Sequence, residues 1–150
     1  MTPIDPIEVD LTRESRTYPI HFRPLDDLSD LLDATDVSSS TCIVITDENV
    51  DELYGSSVQE TLTAGGRDSL KVTIPPGEAS KSLDQLSVIY DRVLEAGIDR
   101  RTPVIALGGG VVGDLAGFAA ATLLRSVPLI QVPTTLIGQA DSAIGGKTGI

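Results

Sequence analysis

The sequence predicts an α/β domain built on a mostly parallel sheet with helices on both faces. Three observations carry that prediction. Apolar, β-branched runs alternate along the chain with segments of helical periodicity. One run, TCIVIT at Thr41–Thr46, is apolar at successive positions, as a strand buried on both faces would be. Another, Val104–Leu107, runs into three consecutive glycines, Gly108–Gly110, and a small-residue segment of helical character. Strand–helix alternation of this kind requires crossovers, and crossovers cover a parallel sheet with helices.

Each element has its own signal. The first four residues and the turn around Ser38–Ser40 read as surface loops. Thr17–Arg23 (TYPIHFR) alternates like a strand and contains the only histidine, His21, expected to be structural. Leu25–Ala34 places Leu25, Leu28, Leu31 and Leu32 at helical spacing. Thr41–Thr46 is the central strand, and Cys42 within it is expected to be inert packing. Val50–Ala64 reads as a helix ended by Gly65-Gly66. Leu70–Ile74 is a short strand closed by Pro75-Pro76. Ser82–Ala96 is a helix with Leu83, Leu86, Ile89, Tyr90, Val93 and Leu94 as its apolar positions; Ser80 or Ser82 can cap it and Gly97 stops it. Val104–Leu107 and Leu129–Val132 are buried strands flanking a helix near Val112–Leu124. A Thr/Gly loop bearing Asp141 and Lys147 follows. The sequence stops at Ile150 inside this loop, so the chain is expected to be a fragment of a longer protein.

Composition limits the class. A length of 150 residues suffices for one domain with a core, and 41% hydrophobic against 22% charged residues is a globular balance. Aromatic residues make up only 3%, so Val, Ile, Leu and Ala must build that core. No apolar run approaches the roughly 20 residues of a membrane helix, and the acidic start MTPIDPIEVD is unlike a signal peptide. No membrane partner is expected. A single cysteine excludes an internal disulfide and a cysteine-cluster metal site, and fits a reducing, cytoplasmic setting. The formal net charge of −11 argues against nucleic acid, whose phosphates need a basic face. That acidity serves solubility, and adaptation to high salt is a second reading of it.

The glycines carry the chemistry. Gly108, Gly110 and Gly113 fit G-x-G-x-x-G between a strand and a helix, the Rossmann-like context for a pyrophosphate on a helix N-terminus. Gly108–Gly110 would permit a tight turn and close ligand approach; Gly113 and Gly117 would let the helix pack closely on the sheet. The dinucleotide fingerprint also wants an acidic residue about 20 positions further on, and Pro133 stands there instead. Asp47 and Asn49, just past the central strand, either contact a ribose or adenine or cap the next helix. Glu78 and Lys81 in PGEASKS are cofactor contacts or surface charges. Asp114 is placed in the helix's first turn, against a ribose hydroxyl, a nicotinamide amide or a backbone N–H. Thr134 and Thr135 offer free hydroxyls at a strand's end. Asp141 and Lys147 form a flexible acid–base pair, and Arg125 can bind an anion as a fork.

With these residues in view, GGGVVGDLAGFAAAT, Arg125 and QVPTTLIGQADSAIGGKTGI resemble the N-terminal domain of the 3-dehydroquinate synthase family; TDENV and PGEASKS resemble it upstream. Related sugar-phosphate cyclases share the GGGV-GD and PTT elements. Iron-dependent alcohol and glycerol dehydrogenases are a more distant likeness. The resemblance implies a lyase of the shikimate pathway, in aromatic amino acid biosynthesis. It converts 3-deoxy-D-arabino-heptulosonate 7-phosphate to 3-dehydroquinate and phosphate with NAD and a divalent metal, zinc or cobalt. By the same resemblance residues 1–150 form the NAD-binding domain of a homodimer, and the metal belongs to a C-terminal helical domain beyond Ile150. No metal ligand is then expected in this chain, which alone would be inactive. Asp47 and Asn49 would hold the adenosine end of NAD. Gly77, Glu78 and Lys81 would lie beside adenosine or ribose hydroxyls. Gly109, Gly110, Val111, Val112 and Gly113 would meet the pyrophosphate; Asp114, Thr134 and Thr135 would meet the nicotinamide half. Asp141 and Lys147 would line the junction of cofactor and substrate, and Arg125 would reach the substrate phosphate of the neighbouring subunit. Ser126 departs from the glycine the family often has there. The rival readings are another sugar-phosphate cyclase and a non-catalytic nucleotide-binding fragment.

Overall fold

The computed structural model describes residues 7–11, 16–35, 37 and 39–150. An antiparallel hairpin comes first, β1 (Ile7–Leu11) with β2 (Arg16–Ile20). No element was expected at β1. The second strand is shorter than the expected Thr17–Arg23, so His21 lies exposed beyond it rather than within a strand. The loop expected over residues 1–4, and Ser38 of the turn expected around Ser38–Ser40, lie outside the described residues.

A four-stranded parallel sheet follows, from β3 (Thr41–Asp47), β4 (Asp68–Ile74), β5 (Val104–Gly108) and β6 (Leu129–Pro133), in the order β4-β3-β5-β6. The helices are α1 (Leu28–Asp33), α2 (Glu48–Val50), α3 (Ser56–Ala64), α4 (Leu83–Glu95) and α5 (Gly110–Thr122). The pleat sorts the central strand between two cores. Ile43 and Ile45 face α4 and α5, with Leu86, Ile89, Val93, Leu115 and Ala119. Cys42 and Val44 face α1 and α3, with Leu28, Leu32, Val58 and Leu62. All five residues of β5 are buried, and β3 is buried from Cys42 to Thr46. Helices therefore cover both faces, as the unbroken apolar runs require.

Local chemistry sets the boundaries. Asp47 Oδ1 accepts from the N–H of Asn49 and Val50, at 3.0 and 3.1 Å, and so starts α2. Between α2 and α3 the helix widens into a π-helical stretch, Asp51–Gly55. Ser82 Oγ accepts from Gln85 N–H and caps α4, while Ser80 Oγ donates to the Pro75 carbonyl at 2.6 Å. Gly97 ends α4 at φ +70°, a conformation glycine adopts without steric cost. Arg67, buried after α3, donates to Ser29 Oγ at 2.9 Å and to Asp33, fastening α1 to the end of α3. The loop after β6 holds a second π-helical stretch, Gly138–Ser142, where the sequence offered only Thr/Gly loop character.

Candidate functional site

Counted in chain order, the parallel sheet runs second-first-third-fourth. Its direction of growth therefore reverses between β3 and β5, and ligands of open α/β sheets bind beyond the carboxyl ends of the strands at such a point. The register aligns those ends: Asp47 pairs with Ile74, Thr46 with Leu107 and Gly108 with Pro133. Asp47, Glu78, Gly109 and Thr134 all follow from that single edge. A cleft of about 740 Å³ opens there, lined by Glu78, Gly110, Val111, Asp114, Thr135, Leu136 and Ile137.

The floor of the cleft is the start of α5. The first intrahelical bond runs from Gly113 N–H to the Gly109 carbonyl at 2.9 Å. The N–H groups of Gly110, Val111 and Val112 precede it and, among the described residues, meet no protein acceptor. Three free donors at the positive end of a 13-residue helix suit an anion. Gly113 thus differs from the expectation, because its N–H is already used inside the helix. Val112 can offer only its N–H, since its side chain is fully buried in the core.

The glycines act by their size. None of Gly108, Gly109 and Gly110 has positive φ, so the expected tight turn is not what selects them. A Cβ on Gly108 would stand 2.6 Å from Val112, one on Gly109 3.1 Å from Thr135, and one on Gly110 3.3 Å from Ser142 Oγ. On Gly113 it would meet Gln131 Oε1 at 3.0 Å, and on Gly117 the Thr148 methyl at 2.4 Å. Close helix–sheet packing holds for Gly113; Gly117 also receives the terminal loop.

Lys81 binds two carboxylates, Asp114 at 3.0 Å and Glu78 at 3.1 Å. Its ammonium is held charged above the usual lysine range, first by the hydrogen bond to Asp114 and then by that to Glu78. Lys81 thus offsets the charge of Asp114 beside the anion site in part, since the same ammonium is shared with Glu78. Asp114 falls just past the first turn expected for it, as the fifth residue of α5, since the helix begins two residues earlier, at Gly110. Gly77 adopts φ +100° and turns the chain into the short 3-10 turn Glu78–Ser80.

Thr135 lines the cleft; its Oγ1 accepts from Gly138 N–H at 3.0 Å, which leaves its O–H to be donated. Thr134 N–H donates to the Gly108 carbonyl, tying β6 to the glycine run. Asp141 and Lys147 form an ion pair at 2.5 Å with both side chains largely in solvent. Arg125 is exposed and sits in a run of three left-handed residues, Leu124, Arg125 and Ser126, at φ 49°, 69° and 94°. Asn49 is exposed beside the α2 cap. Cys42 is fully buried in β3, where burial pushes its thiol above the usual range. Among the described residues no group of three or more His, Cys, Asp or Glu side chains gathers to hold a metal ion.

Sequence reasoning did not single out Leu136 and Ile137, exposed apolar side chains at the cleft, nor Ser142 facing Gly110 or Gln131 facing Gly113. It also missed Tyr18, whose Oη accepts from Gly145 N–H at 2.7 Å, across 127 residues of chain. Only the apolar pair had a visible signal, an LI dipeptide in an otherwise polar loop.

Comparison with known proteins places this geometry. The pattern of the 3-dehydroquinate synthase N-terminal family matches residues 71–150. A 3-dehydroquinate synthase of Salinibacter ruber (strain DSM 13855 / M31) is 48% identical over 149 residues, which is 99% of this chain and 41% of that protein. The chain thus spans about two fifths of that relative's length. A crystal structure of 2-deoxy-scyllo-inosose synthase with carbaglucose-6-phosphate, NAD+ and Co2+ superposes with a TM-score of 0.81 at 25% identity, over 92% of this chain and 37% of the other. A 2-epi-5-epi-valiolone synthase from Streptomyces hygroscopicus subsp. jinggangensis 5008, with NAD+ and Zn2+ bound, gives a TM-score of 0.69 at 31% identity, over 80% and 34% of the two chains.

Proposed function

The chain belongs to the 3-dehydroquinate synthase N-terminal family, and from that premise we propose that residues 1–150 form the NAD-binding half of a 3-dehydroquinate synthase. The proposed substrate is 3-deoxy-D-arabino-heptulosonate 7-phosphate, and the products are 3-dehydroquinate and phosphate. The supporting observation is the triad of unpartnered N–H groups on Gly110, Val111 and Val112 at the edge of a cleft kept open by glycines. These residues fit a dinucleotide pyrophosphate. When bound, NAD supplies a hydride acceptor that is restored within the same turnover, so that oxidation of a hydroxyl can acidify the neighbouring C–H before phosphate leaves.

The side chains divide the remaining work. Lys81 offsets in part the charge of Asp114 beside the pyrophosphate, and Asp114 serves the ribose and nicotinamide end. Thr134 and Thr135 flank that end from β6. Glu78, at the cleft wall, and Asp47 with Asn49, beyond β3, serve the adenosine half. Lys147, held by Asp141, meets the anionic substrate. Arg125 serves the substrate phosphate of a second subunit in a homodimer. The described residues offer no ligand set for a divalent metal, and their contribution is the dinucleotide half of the site.

Phosphate release by the full-length enzyme from heptulosonate 7-phosphate, with catalytic NAD, tests the reading. Release from glucose 6-phosphate instead would favour the second reading, a different sugar-phosphate cyclase, which the likeness to 2-deoxy-scyllo-inosose synthase supports. Lys147→Ala should lower turnover by orders of magnitude; near-normal turnover would remove Lys147 from the site.

A further inference from the structure

The loop that presents Lys147 has few attachments. Ala143 N–H to the Gly138 carbonyl and Ile144 N–H to the Asp141 carbonyl, both 3.0 Å, close the π-helical stretch. Gly145 and Gly146 then turn through φ +85° and +69°, with open space where a Cβ would stand. The next backbone tether is a long one, Gly149 N–H to the Asp114 carbonyl at 3.4 Å. Between these points, among the described residues, Thr148 packs its methyl on Gly117 and one hydrogen bond holds the main chain: Gly145 N–H on Tyr18 Oη at 2.7 Å. Tyr18 comes from the β1–β2 hairpin, which pairs with no strand of the parallel sheet.

We propose that Tyr18 is a positioning residue, and that the hairpin exists in part to hold the Gly145–Lys147 segment in place. The left-handed glycines give the segment its bend but no rigidity. The phenol fixes the amide two residues before Lys147, so the ammonium is carried on a backbone tethered at Ile144, Gly145 and Gly149. A half-buried tyrosine ring is itself stiff, with two side-chain torsions, and suits such a strut. The inference rests on the proposed part of Lys147 in turnover.

The experiment uses Tyr18→Phe in the full-length enzyme, which keeps the ring and removes only the hydroxyl. Thr17→Ala, at an exposed neighbouring position, is the control. Amide hydrogen exchange over residues 143–149 should quicken by about 3- to 10-fold, the worth of one net hydrogen bond, while exchange in β3 and β5 stays unchanged. The kcat for phosphate release should fall by a similar factor with NAD affinity unaltered. Unchanged loop exchange overturns the tether. Faster exchange with unchanged kcat overturns the positioning role. A wild-type enzyme silent on heptulosonate 7-phosphate overturns the functional reading instead, and the exchange measurement alone then decides whether Tyr18 holds the loop.

Discussion

Replacing Gly55 by alanine should destabilise this protein, although glycine-to-alanine within a helix ordinarily gains about 1 kcal/mol. Gly55 closes the π-helical stretch, and the carboxylate of Asp51 folds across it. A Cβ there would lie 1.8 Å from Asp51 Oδ1 and 3.3 Å from Lys71 Nζ. Asp51 would have to swing away, and it has two partners on β4: Lys71 Nζ at 2.7 Å and Thr73 Oγ1 at 3.1 Å. The pair is about three-quarters withdrawn from solvent, at 25% and 22% exposure. Its loss therefore falls between the exposed limit of ~0–1 kcal/mol and the buried limit of ~3–5 kcal/mol, and about 2 kcal/mol is a central value. The hydroxyl bond adds about 1 kcal/mol. Set against the helix gain, the net loss is about 2 kcal/mol. At this chain length that lowers Tm by roughly 4–8 °C.

Urea unfolding followed by circular dichroism measures the change, and a second background isolates its cause. With Asp51→Ala already in place no carboxylate obstructs the new methyl, so Gly55→Ala should stabilise by about 1 kcal/mol. The sign should reverse between backgrounds, a coupling of about 3 kcal/mol. Equal effects in both, or stabilisation in the presence of Asp51, would refute the reasoning.

Three further outcomes follow from the same geometry. Ser126 stands at φ 94°, so Ser126→Gly should raise stability by about 1 kcal/mol in a urea titration, and a variant no more stable than the parent would show that no strain is stored there. Asp47→Ala removes both cap bonds and should cost about 1 kcal/mol; a separate NAD titration tells whether Asp47 also touches cofactor, since unchanged affinity confines it to capping. Burial raises the Cys42 thiol in the folded state, so its contribution is complete below the ordinary thiol range of about 8.5 and is lost as pH rises beyond it, because the unfolded chain ionises first. The stability gap between Cys42→Val and the parent should widen in the variant's favour by up to ~1.4 kcal/mol per pH unit there; parallel pH profiles would contradict this.

Much of the sheet was legible because both faces are covered. Runs such as Ile43–Ile45 and Val104–Leu107 leave no polar alternation to explain, and only a doubly covered parallel strand suits them. Helix ends were legible where one residue decides them, as Ser82 and Gly97 do for α4. β1 was missed although IEVDL alternates apolar and charged residues, because that signal spans only five residues of an acidic, proline-bearing stretch. The role of the glycine run was half legible. Its place between strand and helix follows from the sequence, but whether φ or proximity demands glycine depends on Thr135 and Ser142, which lie 26 and 32 positions from Gly109 and Gly110 respectively. The pairing of Lys81 with Asp114 was illegible for the same reason: two elements meet only once the sheet order is known.

That glycine run has one more implication. Its residues occupy ordinary backbone regions, with the Gly108 carbonyl bonded by Thr134 and the Gly109 carbonyl by Gly113. Such a segment is already in its receiving shape. A diphosphate arriving there meets donors that need no rearrangement, so little main-chain freedom is lost on binding.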